Sequence, residues 1–110
     1  MFLLQIFGAF TMKLLPENLI NQLLTAEGKH FIEAFRKGSL SIEMYKPDKV
    51  DLQTPHSQDE LYVIVAGTGM FKIGEEHFPF KAHDLIFVPA FENHRFYDFT
   101  EDFCTWVVFV

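Results

Sequence analysis

A succession of short β-prone runs, most of the earlier ones cut off within a few positions by glycine or proline, fills the second half of this chain and leaves few folds open to it. The runs are Leu61–Val65, Met70–Ile73, His77–Phe80, Leu85–Val88, Arg95–Phe99 and Cys104–Val110. Gly67-Thr68-Gly69, Gly74-Glu75 and Pro89 punctuate them. Strands this short, with turns this frequent, imply an antiparallel sandwich or barrel. Leu61–Val65 is apolar throughout, the pattern of a strand buried on both faces. Upstream, Leu40, Ile42 and Met44 alternate with Ser41, Glu43 and Tyr45, and Gly38-Ser39 turns this strand back on a less regular one from Phe31 to Lys37. Before that, Leu19, Ile20, Leu23 and Leu24 recur at helical spacing. Pro16 or Asn18 opens this short helix and Gly28 closes it. The expectation is an all-β domain over residues 29–110, preceded by an N-terminal segment and helix over 1–28.

With 110 residues the chain suits one domain. Its 14 phenylalanines imply rings lining either a core or a ligand cavity. Net charge is −6 and there is no basic run, which argues against nucleic acid and anionic membranes as partners. The single cysteine, Cys104, rules out an internal disulfide and suggests a reducing, cytoplasmic setting. Within its apolar strand it reads as a small buried hydrophobe. The first eleven residues are apolar, yet span about half of the roughly 20 that a transmembrane helix needs. They form an edge strand or arm packed on a partner, or else translation begins at Met12.

The chemistry concentrates in Thr54-Pro55-His56-Ser57-Gln58-Asp59-Glu60 and in Pro89-Ala90-Phe91-Glu92-Asn93-His94. In an extended chain Thr54, His56, Gln58 and Glu60 point the same way. Two imidazoles, His56 and His94, with the Glu60 carboxylate suit Fe, Mn, Ni, Zn or Cu, and soft thiolates are absent. A histidine after proline and an acid before a strand are also ordinary surface residues. Spacing weighs against that plainer reading.

The order His56-x3-Glu60-x6-Gly67 resembles the first motif of the cupin superfamily, His-x-His-x3–4-Glu-x6-Gly. The second cupin motif, Gly-x5-Pro-x-Gly-x2-His-x3-Asn, is similar to His83-x5-Pro89-x-Phe91-x2-His94-x3-Asp98. The resemblance covers about residues 38–110. It implies a single antiparallel cupin-type β-barrel or jelly roll, with His56, Glu60 and His94 as ligands of a divalent transition metal (Fe, Mn, Ni or Zn). Thr54 stands where the first motif has a histidine, so Gln58 either supplies an amide oxygen to the metal or hydrogen-bonds within its loop. His83 takes the place of the turn glycine, a position that calls for positive φ. Phe91 replaces the second glycine and narrows or covers the cavity mouth. Tyr62, Phe71, Phe87, Phe96 and Trp106 are candidates for the barrel lining, while Arg95 alternates away from His94. His30 and His77 match no motif position.

Two functions follow. One is a small metal-dependent enzyme, of dioxygenase, isomerase or decarboxylase type, acting on a small polar molecule. The other is a non-catalytic small-molecule-binding module, metal-free or with a structural metal. An apolar N-terminal segment and an apolar last strand would leave sheet edges to cover, which suggests a homodimer.

Overall fold

The computed structural model describes residues 4–7 and 11–110, with side chains placed from Met12 onward. The expectations for residues 1–3 and 8–10, including the choice between the two start methionines, lie outside the described residues. The elements are β1 (Leu4–Phe7), β2 (Thr11–Leu14), α1 (Pro16–Thr25), β3 (Phe31–Lys37), β4 (Leu40–Tyr45), β5 (Glu60–Ala66), β6 (Gly69–Ile73), β7 (Glu76–Phe80), β8 (Leu85–Val88), β9 (His94–Tyr97) and β10 (Cys104–Phe109). Every strand pairing among them is antiparallel. No helix of the described residues is long and apolar enough to cross a membrane.

Two sheets make the body of the domain, one ordered β3-β4-β10-β5-β8 and one ordered β7-β6-β9. β1 and β2 pair only with each other. The last strand, expected at an edge, lies in the middle of the larger sheet between β4 and β5. Its apolar residues are therefore covered within the fold, and the edges of that sheet are β3 and β8. The poor alternation of β3 has a cause: its register with β4 shifts between Glu33 and Phe35, so the two halves of the strand differ in phase.

The facing surfaces of the sheets enclose the main core. Phe96 sits at its centre, with ring centroids 4.7 to 5.3 Å from those of Tyr62, Phe71, Phe80 and Phe103. These five side chains are almost wholly closed to solvent. Much of the phenylalanine content is thus core rather than cavity wall. A second cluster lies on the outer face, where Leu19 and Leu23 of α1 pack on Ala34, Met44 and Cys104. Trp106 joins this outer cluster, and Phe87 is exposed, so neither lines the interior. Tyr62, Phe71 and Phe96 do face inward, as the alternation predicts.

The turns explain several motif positions. Gly67 has φ +94, and a Cβ there would come 2.6 Å from the Phe103 Cα, so the position requires glycine on two counts. His83 adopts φ 76, the left-handed turn its position called for. Phe91 and Asp98 share that conformation at φ 68 and 49.

Candidate functional site

Glu60 opens β5 and lies between Phe109 of β10 and Val88 of β8. His94 opens β9 on the opposite sheet. Because the sheets face each other, the two side chains meet in the interior, with His94 Nε2 2.9 Å from Glu60 Oε1. His56 lies in the connection between β4 and β5. Its ring packs edge-on against Phe109 at 4.8 Å, and its centroid is 6.4 Å from that of His94. The two motifs are stitched together directly. The Phe91 amide donates to the His56 carbonyl at 2.7 Å, and the Ala90 amide donates to Asp59 Oδ1 at 2.8 Å. Asp59 therefore turns away from the interior and fastens the turn that precedes His94.

The hydrogen bonds around His94 define its protons. Its Nδ1 donates to the Glu92 carbonyl at 2.9 Å, which leaves Nε2 aimed at the interior. There Nε2 meets Glu60 Oε1 and, at 3.0 Å, the Tyr62 hydroxyl. Burial alone would push the imidazole pKa down. The hydrogen bond to Glu60, the Glu92 carbonyl and the charges of Glu60 and Asp51 outweigh it and hold the pKa above the ordinary histidine value. His94 and Glu60 thus form a buried hydrogen-bonded pair in which the carboxylate favours the protonated imidazole. Tyr62 is a neutral phenol, its pKa raised by burial and then by the Glu60 charge, and its hydroxyl donates to Gln53 Oε1 at 3.3 Å.

Three further residues belong to this centre. The buried Asp51 carboxylate accepts from the Tyr45 hydroxyl at 2.6 Å, from the Gln53 amide at 3.0 Å and from the Phe96 amide at 2.9 Å. It ties the β4–β5 connection to both sheets. Burial and then Asp51 push the Tyr45 hydroxyl pKa well up, so Tyr45 stays a proton donor to that carboxylate. Gln53 follows Asp51 by two positions, so the acid accepts from the amide two residues on, an Asx-turn. That local signature was present in the sequence. The reach of Asp51 to Phe96 was not, because it depends on how the sheets are stacked.

Strand geometry begins only at Glu60, yet Thr54, His56 and Gln58 do line one cavity, while Glu60 is buried outside its lining. The Gln58 amide nitrogen donates to the main-chain carbonyls of Ser39 at 2.6 Å and Val110 at 3.3 Å. Of its two expected roles, the hydrogen-bonding one is what the side chain performs. His77 is satisfied by the Tyr97 hydroxyl at 2.7 Å, and Arg95 is exposed, both away from the centre.

A cavity of about 460 Å³ opens beside His56, whereas His94 and Glu60 are not among its lining residues. His56, Thr54, Gln53 and Gln58 line it from the β4–β5 connection, Tyr45 and Glu43 from β4, and Phe109 from β10. At its rim, Phe31, Val50 and Leu52 are 58%, 55% and 77% exposed. His30, which matches no motif position, also lines this cavity.

The donor set suits a divalent transition metal: two imidazole nitrogens and a carboxylate oxygen, with no thiolate. Two of these atoms, His56 Nε2 and Glu60 Oε2, are buried and have no hydrogen-bond partner. Native proteins rarely leave such atoms unsatisfied without a ligand, ion or water. The Nδ1–H of His94 held by a backbone carbonyl is the arrangement that orients a metal-ligating imidazole. As placed, the two rings are wider apart than the centroid separation of about 5 Å expected for imidazoles sharing one ion at metal–nitrogen bonds of about 2.1 Å. Accordingly, no three of the described His, Cys, Asp and Glu residues already surround a common point. The His94–Glu60 pair occupies donors that an ion would otherwise take.

Residues 41–110 match the family model described as "Cupin domain". A curated protein of Streptomyces coelicolor without an assigned function is 32% identical over 81 residues, which span 72% of this chain and 77% of that one. Among solved structures, a cupin superfamily protein from Desulfitobacterium hafniense superimposes with a TM-score of 0.67 at 16% identity, covering 89% of this chain and 90% of the other. A cupin 2 conserved barrel domain protein from Leptotrichia buccalis superimposes with a TM-score of 0.66 at 24% identity. The match covers 84% of this chain but 46% of that one.

Proposed function

The chain belongs to the cupin domain family, and from that premise we propose that it binds a divalent transition metal through His56, Glu60 and His94 at the inner end of a small-molecule cavity. The observation that carries this reading is the pair of buried, unpartnered atoms His56 Nε2 and Glu60 Oε2 beside the oriented Nε2 of His94. A bound ion supplies a Lewis acid that polarises an oxygen of the ligand. Tyr62, its proton donated to Gln53 Oε1, presents its hydroxyl oxygen to His94 Nε2. Phe109 and the aromatic core behind it exclude water. Gln58 donates its amide nitrogen to the main chain, and its amide oxygen remains a candidate fourth ligand beside water and the bound molecule. The cytoplasmic setting goes with this reading, since the lone cysteine is buried and unpaired.

Elemental analysis tests it. Near-stoichiometric Fe, Mn, Ni or Zn in the purified protein, lost in a His56→Ala/His94→Ala variant, is the expected result. Iron would direct assays to dioxygenase chemistry, and Mn, Ni or Zn to isomerase or decarboxylase chemistry. Equal metal in both proteins overturns the ligand assignment. No metal even after supplementation leaves the metal-free binding module as the function.

We propose further that the protein acts as a homodimer through β8. This strand is an edge of the larger sheet and exposes Leu85 and Phe87. An antiparallel edge can pair with its own copy across a two-fold axis. Light scattering should give a dimer mass, and a Leu85→Lys/Phe87→Lys variant should give a monomer. A monomeric wild type overturns this.

A further inference from the structure

The cavity has a second polar end, and it is acidic. Glu43 sits on the inward side of β4, opposite Glu33 on β3 and Val107 on β10. Val107 in turn pairs with Tyr62 on β5, whose hydroxyl touches His94. Glu43 and Tyr62 thus occupy one inward row of the sheet two strands apart, a separation of about 10 Å at the usual spacing of about 4.8 Å per strand. Apolar Val107 and Phe109 lie between these ends. The cavity itself runs from Glu43 and Tyr45 of β4 past Phe109 of β10 to His56, and has room for one small molecule.

The charges around Glu43 are lopsided. Arg36 is the one Lys or Arg among the described residues lining the cavity. One edge of its guanidinium is already engaged: Nε lies 3.1 Å and Nη2 2.8 Å from Glu33 Oε2. Ser41 donates to the same oxygen at 2.7 Å. Glu33 is therefore an ion-paired, hydrogen-bonded carboxylate, whereas Glu43 has no hydrogen-bond or ion-pair partner among the described residues. Burial, and then the charges of Glu33 and Glu60, hold the Glu43 carboxyl above the usual carboxylate range. At the other end His56 Nε2 is likewise unpartnered. Two polar groups wait at opposite ends of a trough floored by Phe109 and rimmed by Phe31, Val50 and Leu52.

We propose that Glu43 selects the ligand: it takes the hydrogen-bond donor, an amine or a hydroxyl, at the far end of a small molecule whose apolar middle lies against Phe109 and Phe31. The ligand class is thus neutral or cationic and amphipathic, and molecules anionic at that end are excluded. This rests on reading the cavity as the place where a small molecule sits. Glu43 touches the ligand without belonging to the metal-binding end, so its role is readable with no metal present.

The test uses three probes of similar shape on EDTA-treated full-length protein: 3-phenylpropylamine, 3-phenylpropanol and 3-phenylpropanoate. Amide chemical shifts are followed on titration. The amine and alcohol should shift Ser41–Tyr45 and Phe109, and the carboxylate should bind at least about tenfold more weakly, a gap of about 1.4 kcal/mol. Glu43→Gln should lose the advantage of the amine over the carboxylate yet still bind the alcohol, and Arg36→Gln should leave the order unchanged. Equal binding of all three probes, or an order that survives Glu43→Gln, overturns the role of Glu43 while leaving the cavity standing. No shift with any probe overturns the cavity and Glu43 together. Metal content, measured separately, reports on His56, Glu60 and His94 whichever way the probes fall.

Discussion

His94 Nε2 and Glu60 Oε1 stand 2.9 Å apart between the two sheets, and both side chains are closed to solvent. Each group is thereby the condition for burying the other. Removing one partner of a buried pair leaves an uncompensated charge and costs about 3 to 5 kcal/mol, whereas replacing both with apolar residues of similar volume is often near neutral. His94→Ala should therefore destabilise the metal-free protein by about 3 kcal/mol or more. A Glu60→Leu/His94→Leu double variant should recover most of that loss. Urea denaturation of the EDTA-treated proteins measures both. A double variant as unstable as the sum of its singles would mean that the pair does not act as a unit.

The same pair sets a pH dependence. The folded imidazole has its pKa raised by Glu60 above the ordinary value of 6.5. Its stabilisation is fully present below the unfolded value and is lost as pH rises through the folded one. Metal-free protein should thus lose stability from near-neutral pH upward, and the slope should flatten in Glu60→Gln. Thermal melts across the neutral and mildly alkaline range test this. A wild type and Glu60→Gln whose melting temperatures run parallel throughout would count against it.

Glu43 also lowers stability as pH rises, but as a cost of ionisation rather than as the loss of a favourable pair. Its carboxyl is raised above 4.5 by burial first and by Glu33 and Glu60 next. The folded state therefore resists its ionisation, and the resulting cost appears as pH rises above the unfolded value. Glu43→Gln should melt higher than wild type at neutral pH, and the gap should close as pH falls below 4.5. A variant less stable than wild type at neutral pH would show that Glu43 has a stabilising partner in the fold. Better stability together with altered ligand preference would mark Glu43 as a residue held for binding rather than folding.

The parts of this architecture written in local pattern were legible in the sequence. Leu40–Tyr45 alternates because one of its faces meets α1 through Met44 and the other meets the core through Tyr45. His56, Glu60 and His94 could be grouped because motif spacing encodes which strand ends approach each other. Thr54, His56 and Gln58 share a cavity although residues 51–59 are not a strand, so the course of the connection, rather than alternation, brings them together. Phe87 and Trp106 were counted as lining because strand periodicity does not say which side is inside. Phe87 ends on the bare outer face and Trp106 under α1. Strand order hid the central place of β10, since pairing between distant segments leaves no local mark.

Asp51 shows what such non-local contacts add to the site. Its carboxylate closes the Asx-turn on Gln53, receives the Tyr45 hydroxyl from the larger sheet and receives the Phe96 amide from the smaller one. Gln53, held by that turn, accepts from Tyr62, which in turn contacts His94. Asp51→Ala should leave a buried amide and a buried phenol unsatisfied. At about 1 to 3 kcal/mol for each orphaned group, the loss should be about 2 to 6 kcal/mol. Asp51→Asn keeps the shape and an acceptor oxygen, so it should lose about half as much through the weaker neutral hydrogen bonds. The site should respond beyond stability. With Gln53 released, Tyr62 loses its acceptor and His94 loses a fixed neighbour. Asp51→Asn, still folded, should bind metal more weakly, by the roughly 10- to 100-fold typical when an outer-shell partner is lost. A competition titration against a chelator of known affinity measures this. Unchanged metal affinity in a folded Asp51→Asn protein would confine Asp51 to holding the loop.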